Sequence, residues 1–132
     1  MPAVCAAFEA YPVCWGDRQN VLVVTATTLD GSNLVAPDVG VSPPVPGANW
    51  NPNIVHVAAP GEGLYASGRG NSYVQVRGSS FATPLVTATA ALLYAQGVRT
   101  PWEIKQRILA TADRVAGLTD RVGYGRLNAR RA

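Results

Sequence analysis

The sequence is short of charge, cysteine and histidine, and each shortage removes a class of function. Charged residues are 14% of the 132, against 48% hydrophobic. That balance excludes a disordered charged tail and a coiled coil. No apolar run reaches the roughly 18 residues a membrane-spanning helix needs, so no membrane partner is expected. Met1-Pro2 leads straight into Ala3-Val4-Cys5, without the basic and apolar regions of a secretory leader. The address of a secreted form is therefore expected upstream. The two cysteines, Cys5 and Cys14, match no zinc or redox spacing and have too few partners for a metal site. A small disulfide-closed loop and a pair of free thiols both stay open.

The net charge is +3, and seven of the 11 basic residues fall between Lys105 and Arg131. Nucleic-acid surfaces usually add aromatics or a groove-reading motif to such charge. Neither is visible, so the expectation is a solvated helix face with a basic tail and no nucleic-acid partner. With 13 Gly and 10 Pro, the chain suits one turn-rich domain over residues 1–132 with a modest core.

Asn20 to Ala26 is a nearly continuous apolar and β-branched run, the pattern of a strand buried on both faces of a parallel sheet. From Thr27 to Asn53 the period dissolves into Gly, Pro, Asn and Asp, which reads as a long loop. A second run, Ile54 to Ala59, stops at the turn Pro60-Gly61. Ser72 to Arg77 alternates, with Tyr73, Gln75 and Arg77 on a wetter face. A helix is expected from about Ser80 to Gln96, capped by Gly97. It carries no charge at all, which marks a buried helix. Pro84 is tolerable there near the first turn, where backbone N–H groups lack partners. A second helix starts at Thr100-Pro101-Trp102-Glu103, with an N-cap Thr, Pro at the first position and Glu at the third. Ile104, Ile108 and Leu109 share its inner face, which leaves Lys105, Gln106 and Arg107 to solvent. Strands followed by helices indicate an α/β layer, expected to be incomplete and without internal repeats.

The stretch that bears chemistry is Gly78-Ser79-Ser80-Phe81-Ala82-Thr83-Pro84. A small-residue turn delivers a serine to the head of a long helix. Free N–H groups and the positive helix end there would stabilise an oxyanion formed by attack of that serine. The plainer alternative is that Ser79 or Ser80 simply caps the helix. Local physics by itself favours the cap.

The same seven residues resemble the nucleophile motif of the subtilisin-like serine peptidases, the subtilase family, in which the second hydroxyl residue is the nucleophile. Ser80 holds that place. Asn20 to Ala26 resembles the family strand that follows its oxyanion-asparagine segment. Val55-His56-Val57-Ala58-Ala59-Pro60-Gly61 resembles the V-x-x-x-A-P-G segment. Thr100-Pro101 through Ala110-Thr111-Ala112, then Gly123-Tyr124-Gly125-Arg126-Leu127-Asn128, resemble the closing blocks. These blocks run in order over roughly residues 11 to 131. The resemblance implies the C-terminal part of a three-layer α/β fold, with a parallel sheet and a buried central helix starting at Ser80. It also implies a serine endopeptidase acting on a peptide or protein substrate. Oxyanion donors would be the Ser80 N–H and, more weakly, the Ser79 hydroxyl.

There are departures. Leu85 stands where many relatives have a non-catalytic His. Ala48-Asn49-Trp50-Asn51 replaces an S-N-W-G turn, with Asn51 expected to take the left-handed conformation of the glycine. The catalytic Asp and His motifs, which precede the serine in this family, do not occur. Cys5-Ala6-Ala7-Phe8-Glu9 lies near the oxyanion-asparagine segment but does not match it. His56, the sole histidine, falls at a structural position of the family. Asp30, Asp38, Asp113 and Asp120 lie at turns and helix ends, where Asp is common for capping. The implied partner is therefore the missing N-terminal part of the peptidase domain. A non-catalytic subtilase-like binding or structural module is the alternative. No cofactor is identifiable; calcium comes from the family only, since no acidic cluster marks a site. The resemblance favours an extracellular or periplasmic location. With only part of the fold present, one side of the Ser80 helix should stay uncovered and favour association.

Overall fold

The computed structural model describes residues 13–132. Three short parallel strands form its centre in the order β1 (Val24–Thr27), β2 (Val57–Pro60) and β5 (Gly125–Arg126). Val24 pairs with Val57, Ala26 with Ala59, and Val57 with Gly125 on the far side. Because β2 is central, Val57, Ala58 and Ala59 are fully buried. Side chains alternate across a strand. Val57 and Ala59 thus join Ala26, Ala82, Val86, Leu93, Ile108 and Leu109 on one face. Ala58 meets Val23, Leu34, Val55, Leu118 and Val122 on the other.

Both expected apolar runs contain their strands but begin pairing late. Val23 donates its N–H to the His56 imidazole, so β1 starts after it. Ile54 and Val55 donate to the Asn51 carbonyl at 3.1 and 2.8 Å, and those bonds form a turn before β2. Asn51 does not take the left-handed conformation expected of it; among the described residues, only Asn71 and Asp120 do so without being glycine. The turn holds instead because the Asn51 side chain accepts the Asn53 N–H at 2.9 Å.

An antiparallel hairpin follows, β3 (Glu62–Gly68) with β4 (Ser72–Arg77). The sequence reading includes β4 but passes over β3, whose glycines hide its period. Gly63, at φ 70, sits where the register shifts, as a bulge requires. Tyr73, Val74 and Gln75 are all exposed, since no layer of the described residues covers either face of the ribbon there.

Helix α1 spans Ser79–Ala95 and packs on β1, β2 and α2 (Pro101–Ala110). It ends as expected at Gly97: the Gly97 N–H reaches the Tyr94 carbonyl, and the Val98 N–H the Leu93 carbonyl, both at 3.1 Å. These are the paired bonds of a Schellman cap. Only Ala82, Val86, Thr89 and Leu93 are buried, a stripe at spacings of four, three and four. Leu85, Leu92 and Tyr94 on the remaining surface are exposed. An all-apolar helix is thus covered on one face only.

In α2 the capping box forms: Thr100 accepts the Glu103 N–H at 3.2 Å, and Glu103 accepts the Thr100 N–H at 3.3 Å. Lys105 departs from its expected place in solvent and is buried at 6% exposure. Its ammonium donates to the carbonyls of Gly16 (2.7 Å) and Arg18 (2.9 Å). Those bonds offset the desolvation that pulls its pKa down. The C-terminal segment is fastened by Asp113, which accepts from Arg126, Asn128 and Arg131. Part of the expected basic tail is therefore paired. Cys14 is buried and disulfide-bonded; Cys5, its only counterpart in the sequence, lies outside the described residues.

Candidate active site

Ser80 stands just beyond the C-terminal end of β2, the end at which parallel α/β sheets gather their ligands. Two glycines set its place. The Gly61 N–H donates to the Thr27 carbonyl at 2.9 Å, and the Gly61 carbonyl accepts the Gly78 N–H at 2.6 Å. This stitches the head of α1 to the sheet. A Cβ on Gly61 would stand 2.6 Å from Ala26 Cβ and 2.8 Å from the Gly78 carbonyl, so the approach exists only with glycine there. Gly78 turns the chain at φ 125, a conformation that L side chains rarely adopt.

The N-cap of α1 is Gly78, with no side-chain capping bond. Neither serine is therefore used as the cap that local physics favours. The Gly78 carbonyl accepts from Phe81 (3.0 Å) and Ala82 (3.3 Å). The N–H groups of Ser79 and Ser80 have no acceptor among the described residues, as the first turn of a helix dictates. The hydroxyl of Ser80 likewise has no hydrogen-bond partner there, and both serines are exposed. Pro84 is the sixth residue of α1, slightly deeper than expected, and it cannot donate to the Ser80 carbonyl four residues back. Solvent access at Ser80 lowers the cost of that missing bond.

Among the described residues, no base accompanies the serine. His56 precedes β2 while Ser80 lies past its other end, and four residues of strand span about 13 Å. The imidazole is engaged elsewhere: its Nδ1 accepts the Val23 N–H at 3.0 Å. Burial, with the Lys105 charge assisting, lowers its pKa to about 4. It is a neutral structural group, as its position in the sequence suggests. Three of the four named aspartates are also committed. Asp30 accepts from Thr28 and Ser32, Asp38 pairs with Arg77, and Asp113 binds the C-terminal segment. Asp120 sits in a turn at φ 62. Cys5 to Glu9 lies outside the described residues. Among those described, no three His, Cys, Asp or Glu side chains come together.

One residue of this neighbourhood escaped the sequence reading. Arg77 looked like one of several wet-face positions of β4, yet it is bound on three sides. Its guanidinium donates to the Ala36 carbonyl and lies 3.7 Å from both Asp38 and Glu62.

Comparison with known proteins shows the family. Residues 2–125 match the Subtilase family. A thermophilic serine proteinase of Bacillus sp. (strain AK1) is 43% identical over 74 residues, which are 56% of this chain and 18% of that protein. Thermitase of Thermoactinomyces vulgaris is 39% identical over 80 residues, 61% of this chain and 28% of thermitase. The chain thus spans less than a third of either relative. Among solved structures, the A-subunit of the AB5 toxin from E. coli is similar at a TM-score of 0.72 and 25% identity. That match covers 92% of this chain and 41% of the toxin subunit.

Proposed function

The chain belongs to the subtilase family, and from that premise we propose that Ser80 is the nucleophile of a serine endopeptidase. The observation that carries the reading is the unclaimed head of α1: a serine beside two N–H groups without acceptors, in a helix capped by glycine instead. In this reading the Ser80 oxygen attacks the scissile carbonyl of a peptide or protein. A histidine accepts its proton and an aspartate orients that histidine. The carbonyl oxygen becomes an oxyanion, received by the Ser80 N–H and more weakly by the Ser79 hydroxyl. Collapse of the tetrahedral intermediate expels the amine and leaves an ester on Ser80, which water then hydrolyses.

The histidine and aspartate would come from outside these 132 residues, in an N-terminal part of the peptidase domain of which this chain is the C-terminal portion. Two features support such a partner. β1 is the edge strand of the sheet, and its outer side is met among the described residues only at its end, by the Thr27–Leu34 bridge and the Val35 N–H on the Ala26 carbonyl. Beside it runs an apolar groove of about 440 Å³ lined by Val21, Leu22, Val24, Val86, Ala90 and Ile104. A further strand with its covering layer would pair the one and fill the other. The disulfide at Cys14 fits the oxidising compartment of a secreted or periplasmic protein.

Co-expression with an N-terminal segment bearing Asp and His motifs tests the reading. Fluorophosphonate should then label Ser80, and the Ser80→Ala variant should stay unlabelled. Equal labelling of that variant, or none in the assembled wild type, refutes it. The latter result leaves a non-catalytic module, which the absence of a base among the described residues already favours for the isolated chain.

A further inference from the structure

Arg77 ends β4 immediately before Gly78, and its three attachments reach a feature that the catalytic reading does not use. Residues 36–47 form a closed arm. Asp38 and Val45 exchange both backbone hydrogen bonds at 2.9 Å, and the Ala48 N–H reaches the Val35 carbonyl at 2.9 Å beneath them. The Asp38 carboxylate also accepts the Gly40 N–H at 3.1 Å. Below the arm, the Val35 N–H donates to the Ala26 carbonyl at 3.1 Å, which roots it at the end of β1 nearest Ser80. The guanidinium of Arg77 then latches the arm from the other side, through the Ala36 carbonyl and Asp38, and braces itself on Glu62. Ser80 lies three residues after Arg77, so the backbone that carries the latch is within roughly 11 Å of it. On the arm, Val39 is 81% exposed, with Val41 and Val45 also in solvent. Three exposed valines on a segment hydrogen-bonded into one shape gain nothing from the core. They are placed to meet something that arrives.

We propose that the arm 36–47 is a specificity wall for an apolar substrate side chain bound next to Ser80, and that Arg77 is the positioning residue that holds it. The proposal rests on the reading of Ser80 as a nucleophile. Its occupant is an extended peptide with an aliphatic or aromatic residue close to the scissile bond. Val39 and Val41 bury part of that residue, and the Arg77 latch keeps them from swinging away with the loop.

Two measurements test it. In the isolated chain, amide exchange at Asp38 and Val45 should speed about tenfold or more in Arg77→Met, with α2 amides unaffected and Arg77→Lys intermediate. Unchanged exchange overturns the latch. In the assembly with the N-terminal segment, the kcat/KM ratio for peptides carrying leucine against serine near the cleaved bond is read. It should fall about tenfold in Val39→Ser/Val41→Ser and in Arg77→Met. An unchanged ratio, with wild-type Ser80 labelled by fluorophosphonate, overturns the wall alone. Failure of wild-type labelling refutes the peptidase reading and the wall with it, while the exchange result still judges the latch.

Discussion

Lowering the pH from 7 to 4.5 should destabilise the protein chiefly through His56. Its Nδ1 accepts the Val23 N–H, so protonation would set two hydrogens against each other. It would also place a cation in a partly buried site beside the Lys105 ammonium. Burial first, and that charge second, lower the pKa from 6.5 to about 4. Above pH 6.5 the imidazole is neutral in both the folded and unfolded chain, and the native hydrogen bond is fully in place. Between 6.5 and about 4 the unfolded chain takes up the proton and the folded one does not, so stability falls with pH. Below about 4 both forms are protonated and the loss is complete. A shift of this size corresponds to about 3 kcal/mol at most; partial solvent access brings the expected loss at pH 4.5 to about 2 kcal/mol. Asp30, at about 2, and Asp113, also lowered, remain ionised in the folded protein at pH 4.5; their unfolded forms take up protons mainly below that pH, so they add little slope there. Urea unfolding followed by tryptophan fluorescence at several pH values is the assay, with His56→Gln as the comparison. The variant should start less stable at pH 7 and lose much less between pH 6.5 and 4.5. An equal slope in the two proteins would refute the assignment of the transition to His56.

Other outcomes follow from the same structure. Lys105→Met keeps the apolar stem but leaves the Gly16 and Arg18 carbonyls without their donor; it should cost about 2 kcal/mol in denaturant melts and speed exchange in residues 16–20. Gly78→Ala meets no atom within 4 Å, so its cost, about 1–3 kcal/mol, is backbone strain alone. Gly61→Ala must push apart Ala26 and the Gly78 carbonyl; it should cost about 3 kcal/mol and, in the assembled enzyme, slow fluorophosphonate labelling of Ser80. Thr27 is fully buried with a hydroxyl that has no partner among the described residues. Thr27→Val should therefore raise stability by about 1 kcal/mol, and a destabilisation would show that the hydroxyl is satisfied.

Local signals were legible wherever a few neighbouring residues settle the outcome. Thr100-Pro101 and Glu103 specify the start of α2 because the capping box closes within four residues. Gly97 specifies the end of α1 for the same reason, since both Schellman bonds are local. Gly78 to Pro84 pointed to the family, and the ordered blocks around it made that assignment strong. Positions settled by distant partners were not legible. Lys105 looks solvated on a helical wheel, and only the arrival of the Gly16 and Arg18 carbonyls, more than 80 residues away in sequence, makes its burial favourable. Strand β3 was hidden because its glycines give no period until β4 pairs with it. Arg77 carried no signal, because its role depends on where residues 36–38 fold back.

The sequence thus determined the kind of chain this is, the two helices and the serine at the head of one of them. Only the tertiary structure decided that glycine, not serine, caps that helix, and that His56 stands at the opposite end of β2, committed to Val23. It also decided which residues of α1 stay bare, Leu85, Leu92 and Tyr94 among them. Caps and periodic faces are written in bonds between near neighbours. The company that a side chain keeps depends on which segments the sheet brings together, and no local pattern encodes that.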